Sequence, residues 1–131
     1  LLTCAVIGTH QGRLVIPDHK LNLCPFEDEA EAHYLCAFLS STPARFIVSS
    51  YAISTSVATH LLKYLKIPAF DSGCEDHAAL SAASRQGHRA ALAGDEASMA
   101  RLSAVMDEAV AGIWRLNGVG KIPMVDAIKI R

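Results

Sequence analysis

The chain has 131 residues, enough for one domain with a modest core. Hydrophobic residues make up 51% and charged residues 19%, which excludes a disordered tail and suits a folded domain. A formal net charge of −1 excludes binding of nucleic acid by bulk positive charge alone. Ala is abundant and aromatics are sparse, a balance that favours closely packed helices. Cys4, Cys24, Cys36 and Cys74 never fall at C-x-x-C spacing, so the expectation is buried free thiols in a reducing cytoplasm. The longest apolar run is far too short to cross a bilayer, so no membrane partner is expected. The chain opens on Leu1-Leu2 rather than Met, and is read as the C-terminal piece of a longer protein.

In chain order, residues 2–7 and 13–16 are short, apolar and β-branched, and Gly8 and Gly12 frame the turn between them. They predict a hairpin. Residues 20–24 alternate apolar and polar positions, with Leu21 and Leu23 on one face, and predict a third strand. Three short strands over 1–26 make an incomplete sheet, whose missing strands are expected upstream of Leu1.

The period changes after Pro25-Phe26. Asp28, Glu29 and Glu31 stand where a helix N-terminus welcomes negative charge, and Ala32, Leu35, Cys36 and Leu39 follow at helical spacing. Ser41-Thr42-Pro43 ends that helix and starts another, with Thr42 as the expected cap and Pro43 as the first helical residue. Phe46, Ile47, Ser50 and Tyr51 continue it. Residues 54–59 are rich in hydroxyls, have no period and predict a loop, followed by one helical turn over 61–65. Pro68 pushes Ile67 out of the α region, and Asp71-Ser72-Gly73 is turn chemistry. The region 27–70 therefore reads as helices and a polar loop.

Residues 71–118 predict an antiparallel αα-hairpin. Its first helix runs from Cys74 to Ala93 and carries His77, Leu80, Ser84, Gly87, His88 and Ala91 on one stripe. Gly94 is a C-terminal stop and Asp95 an N-cap for the second helix, with Met99, Leu102, Val105, Met106, Ala109, Val110 and Ile113 on its inner face. Asn117-Gly118 is its expected end, and 119–131 form a short tail. The fold class expected is α+β, mostly helical, with a small N-terminal hairpin or partial sheet and helices ending in the αα-hairpin.

The motifs of catalysis are absent. There is no phosphate loop, no H-E-x-x-H, no G-x-S-x-G, no Gly-rich cofactor loop and no Asn/Asp-Pro-Pro-aromatic sequence. The six His residues stand at 10, 19, 33, 60, 77 and 88, never three or four apart, so no local helical metal pair exists. His77 and His88 read as hydrogen-bonded packing residues, and Trp114 as a packing anchor. No catalytic or metal residue is expected in this chain.

Charge is distributed unevenly. Residues 32–70 contain no Asp or Glu and carry Arg45, Lys63 and Lys66, with His33 and His60. Residues 71–117 are acidic. Arg45, Lys63 and Lys66 together with Ser54, Thr55, Ser56 and Thr59 form the candidate DNA-binding set, because phosphate oxygens accept from Lys, Arg, Ser and Thr side chains. The same composition also describes a segment with few charges and a solvated loop with capping hydroxyls.

The run Glu31-Ala32-His33-Tyr34-Leu35-Cys36-Ala37-Phe38-Leu39-Ser40-Ser41 resembles the EAYYLxAxLNS segment in the C-terminal region of restriction–modification N6-adenine DNA methyltransferases. Leu14-Val15-Ile16-Pro17-Asp18-His19-Lys20-Leu21, Ser49-Ser50-Tyr51-Ala52-Ile53-Ser54-Thr55-Ser56 and Leu65-Lys66-Ile67-Pro68-Ala69-Phe70-Asp71 are similar to that family too, as are His77–Leu80 and the following Ser84, Gly87 and His88. The resemblance covers about residues 13–118 and rests on the order and spacing of the pieces. Leu39-Ser40-Ser41 departs from the usual Leu-Asn-Ser, and the tail after Gly118 departs altogether.

The resemblance implies a target-recognition fragment without the catalytic domain. Its implied partners are double-stranded DNA and an N-terminal methyltransferase domain of the same parent chain. The implied cofactor, S-adenosylmethionine, belongs to that parent, a site-specific adenine-N6 enzyme, and none is expected in the fragment. The alternatives from other classes are a helical protein-interaction module that docks a partner subunit, and a small independent enzyme assembled from remote His and acidic residues.

Overall fold

The computed structural model describes residues 2–18, 21–51 and 65–115. Four helices stand among the described residues: α1 (Glu29–Ser40), α2 (Thr42–Tyr51), α3 (Glu75–Ala93) and α4 (Glu96–Ile113). No helix of the described residues is long and apolar enough to cross a membrane.

Local chemistry accounts for most helix ends. The Asp28 carboxylate accepts from the Ala30 amide at 2.8 Å and caps α1. Gly94 takes φ 68°, the left-handed conformation that a side chain resists, and closes α3. Asp95 then accepts from the Ser98 amide at 3.0 Å and caps α4, so two residues turn the chain back. Hydrogen bonds from the Ser98 hydroxyl and amide hold the exposed Asp95 carboxyl below its ordinary value.

The cap of α2 lies one residue earlier than expected. Ser41, not Thr42, takes that role, and its hydroxyl donates to the Phe38 carbonyl at 2.7 Å and accepts weakly from the Ala44 amide. Thr42 is instead the first helical residue and Pro43 the second. The Thr42 amide donates to Asp107 of α4 at 2.7 Å, so a carboxylate from a distant helix faces the positive end of α2. At the far end, α4 stops at Ile113, before the expected Asn117-Gly118 pair, which lies outside the described residues. Arg115 takes φ 56°, which breaks the helical path.

Helix α3 is the central element and packs along both α1 and α4. Phe38 and Tyr34 of α1 meet Leu80 and Ala83 of α3, Met106, Ala109 and Val110 of α4, and Ala44 of α2. Ala37, Ala44, Ala83 and Ala109 are all buried, and these small side chains let the helices approach closely. A second cluster gathers Leu39, Ile47, Val48 and Leu65, with Leu2, Cys4 and Leu35 against it. Trp114 touches both clusters and meets Phe38 edge-on at 5.1 Å, as a packing anchor should. The stripes shift slightly from expectation: Ala90 is buried where Ala91 was expected, and Met99 and Val105 are exposed.

The expected N-terminal hairpin does not form. Among the described residues there is no sheet, only an isolated antiparallel bridge between His10 and Arg13. It closes a two-residue turn in which Gln11 and Gly12 both have positive φ, 50° and 74°. Residues 2–7 do alternate inward and outward, since Leu2, Cys4 and Val6 are half-buried and Thr3, Ala5 and Ile7 are exposed. Their inner face lies on the helices rather than on a neighbouring strand. Leu14 and Ile16 are each 83% exposed, and Leu21 and Leu23 are exposed as well. Period-2 patterning selects an extended backbone, but two strands without a shared apolar partner are marginal in water.

Candidate nucleic-acid interface and the buried histidine cluster

Two of the seven residues expected to contact DNA are described. Arg45 is a half-buried residue of the first turns of α2, and its amide donates to the Ser41 carbonyl. Lys66 is exposed and takes φ 46°. That conformation lies between Leu65, fully buried against Ile47 and Val48, and Ile67, which packs against both clusters. Two apolar neighbours are thereby anchored while the cation between them stays at the surface. Ser54, Thr55, Ser56, Thr59 and Lys63 lie outside the described residues. The acid-free window does not produce an acid-free surface, because Asp107 of α4 reaches the start of α2.

The segment bearing Lys66 is fastened to the helices by polar contacts. The Tyr34 hydroxyl donates to the Pro68 carbonyl at 2.9 Å, and burial pushes its phenol up to about 12. The Asp71 amide donates to His77 Nδ1 at 3.0 Å. The His77 ring lies 4.6 Å from that of Tyr34 and 6.3 Å from that of Phe70. His77 is thus the hydrogen-bonded packing residue expected.

A second polar cluster lies between α1 and α3. His33 Nδ1 is 2.8 Å from the Ser84 hydroxyl, and its Nε2 is 3.5 Å from Glu29, which also pairs with Arg85 at 3.6 Å. The His88 ring meets His33 edge-on at 5.1 Å. Burial lowers the His33 imidazole below its ordinary value, and His88 and Arg85 add to this, while Glu29 opposes it. The Cys36 thiol lies against Ser84 and Ser40, and burial raises it despite those hydrogen bonds. Burial also pushes the neighbouring Cys4 thiol up to about 11, so both remain thiols at neutral pH.

The order Glu29, His33, Ser84 matches the acid–base–nucleophile sequence of a hydrolase triad. Ser84 is only 2% exposed, however, and lies inside α3 facing α1. No carbonyl could approach its hydroxyl unless the helices parted, so the arrangement is a satisfied core network rather than a reaction centre. Among the described residues no group of three His, Cys, Asp or Glu is placed to hold a metal ion. The sequence places Ser84 and His88 on one inner stripe, but their meeting with His33, 51 residues from Ser84, carries no local signal.

Comparison with protein-family models, characterised proteins and solved structures found no match to the chain.

Proposed function

We propose that this chain is the DNA target-recognition part of a restriction–modification adenine-N6 DNA methyltransferase, with the catalytic domain elsewhere in the parent. The reading is carried by one observation: three of the five segments that resemble this family meet in one packed unit. The Glu31–Ser41 run supplies α1 and the Ser41 cap of α2, and Tyr34 of that run bonds to Pro68 of the Leu65–Asp71 run. His77 and Ser84, from the third run, bond to Asp71 and His33. Residues that resemble the family at separate places in the chain are thus mutual neighbours in space.

In this reading the helices form a rigid platform, and residues 54–59, with Arg45, Lys63 and Lys66, present hydroxyls and cations to a duplex. Arg45, Ser54, Thr55, Ser56, Thr59, Lys63 and Lys66 neutralise phosphates and position the chain, while sequence is read elsewhere. S-adenosylmethionine and the methyl transfer belong to the parent's catalytic domain. The test is fluorescence polarisation with a labelled duplex. Affinity should fall steeply with salt, and Lys63→Ala and Lys66→Gln should each weaken binding for all sequences and flatten the salt slope by about one. Unchanged binding in both variants, in this chain and in its parent, refutes the assigned face.

Exposed apolar residues favour a second reading, a helical module that docks a partner subunit. Leu92 at the end of α3 is 91% exposed, and Met99 and Val105 of α4 are exposed too. A dimer by light scattering without any DNA affinity would select this reading over the first.

A further inference from the structure

The hydrogen bonds of His88 fix its chemical state. Its Nδ1 is 2.7 Å from the Ser84 carbonyl oxygen, which can only accept, so Nδ1 carries the hydrogen. Its Nε2 accepts from the Val6 amide at 2.9 Å, and an amide N–H can only donate, so Nε2 presents its lone pair. Only the neutral Nδ1–H tautomer satisfies both bonds. Val6 belongs to the extended arm 2–7, which otherwise rests on the helices through Leu2 and Cys4. This single side-chain nitrogen therefore joins the arm to α3 across 82 positions of sequence.

We propose that His88 is a pH-operated latch for the N-terminal arm, holding it while the ring is neutral and releasing it when the ring takes up a proton. Protonation places the ring's second N–H hydrogen at Nε2, pointing at the Val6 N–H, so two donors face each other where one bond stood. The titratable and charged groups around the ring come from three elements. Helix α1 brings His33, which meets the ring edge-on; one step further out, Glu29 of α1 and Arg85 of α3 pair beside His33, Cys36 of α1 lies by Ser84 and Val6, and Cys4 of the arm interacts with Cys36. Arg85 disfavours a proton on His33 and Glu29 favours one. His33 is buried and His88 half-buried, and of the two rings only His88 offers a lone pair to the arm. The Cys36 sulfur lies beside the same Val6 amide, but a thiol is a weak acceptor and does not replace an imidazole nitrogen. Release exposes the inner faces of Leu2, Cys4 and Val6 and uncovers the second core cluster. The arm thereby becomes available when the ring is protonated and is withdrawn when the ring is neutral.

The test uses the full chain. Nitrogen NMR of the His88 ring at neutral pH should report the Nδ1–H tautomer. Amide exchange, corrected for its intrinsic pH dependence, should show the protection of Val6 falling by roughly three- to tenfold between pH of about 7.5 and about 5.5, the loss of one net hydrogen bond. Amides in the middle of α3 should keep their protection. His88→Gln, whose side-chain oxygen accepts the same bond and does not titrate, should hold the arm at both pH values. An Nε2–H tautomer at neutral pH, equal Val6 protection at both pH values, or a His88→Gln chain that loses protection on acidification would each overturn the latch. The two wild-type measurements decide the matter even if the variant fails to fold.

Discussion

Gly87→Ala should stabilise the protein. Gly87 stands in the interior of α3 with a regular negative φ, so its freedom is not needed by the backbone there. A methyl group built on its Cα meets the Met106 Cε of α4 at 3.9 Å, an ordinary van der Waals distance to the end of a flexible side chain. Replacing an interior helical Gly by Ala contributes about 1 kcal/mol through the unfolded chain's lost freedom. The half-buried methyl adds a few tenths more at about 25 cal/mol per Å². The sum, about 1–1.5 kcal/mol, corresponds to a rise in Tm of roughly 3–6 °C for a chain of this size. Urea unfolding followed by circular dichroism, with the midpoint raised and the slope unchanged, is the readout. A lower midpoint would mean that α3 and α4 lie closer at Gly87 than this geometry allows, and would refute the reasoning.

Asp107→Ala removes the carboxylate that accepts from the Thr42 amide at the start of α2, and should cost about 1 kcal/mol in the same urea assay; no loss would show that water replaces it. Tyr34→Phe leaves the Pro68 carbonyl without its partner while preserving the ring, and should cost about 1 kcal/mol; the faster exchange this predicts for amides in 65–71 would be missing if that hydrogen bond did not hold the segment. The depressed His33 imidazole makes the folded state bind fewer protons than the unfolded one below its ordinary value of 6.5. Stability is then full above 6.5 and is lost as pH falls from there toward the folded-state value, so urea midpoints should drop between pH of about 7 and about 5. His33→Gln should flatten that slope, and an equally steep slope in the variant would assign the effect elsewhere.

For the interface, Arg45 and Lys66 each stand within two residues of a member of one apolar cluster, since Ile47 and Val48 of α2 pack with Leu65. The apolar spacing and the helix breakers showed where these residues fall along the chain. They did not show that Lys66 takes a left-handed conformation, nor that Asp107 accepts from the Thr42 amide at the head of α2, three residues before Arg45 in the chain. Charge windows count residues along one segment, whereas electrostatics depends on what other segments bring near.

Sequence alone determined the features that one or two turns of chain can encode. Asp28 at the head of α1, the Gly94-Asp95 reversal and the αα-hairpin follow from short-range capping and the 3.6-residue period. The extended course of residues 2–7 follows from their apolar, β-branched composition. Tertiary structure decided what those faces meet. It gave the arm a helix surface instead of a strand, because no matching apolar strand face stands beside it and Leu14 and Ile16 remain in solvent. It also brought His33 of α1 to Ser84 and His88 of α3, and Val6 to His88. Most buried donors and acceptors find partners wherever packing places them, the Trp114 indole N–H excepted, and packing joins residues whose separation in sequence no local pattern records.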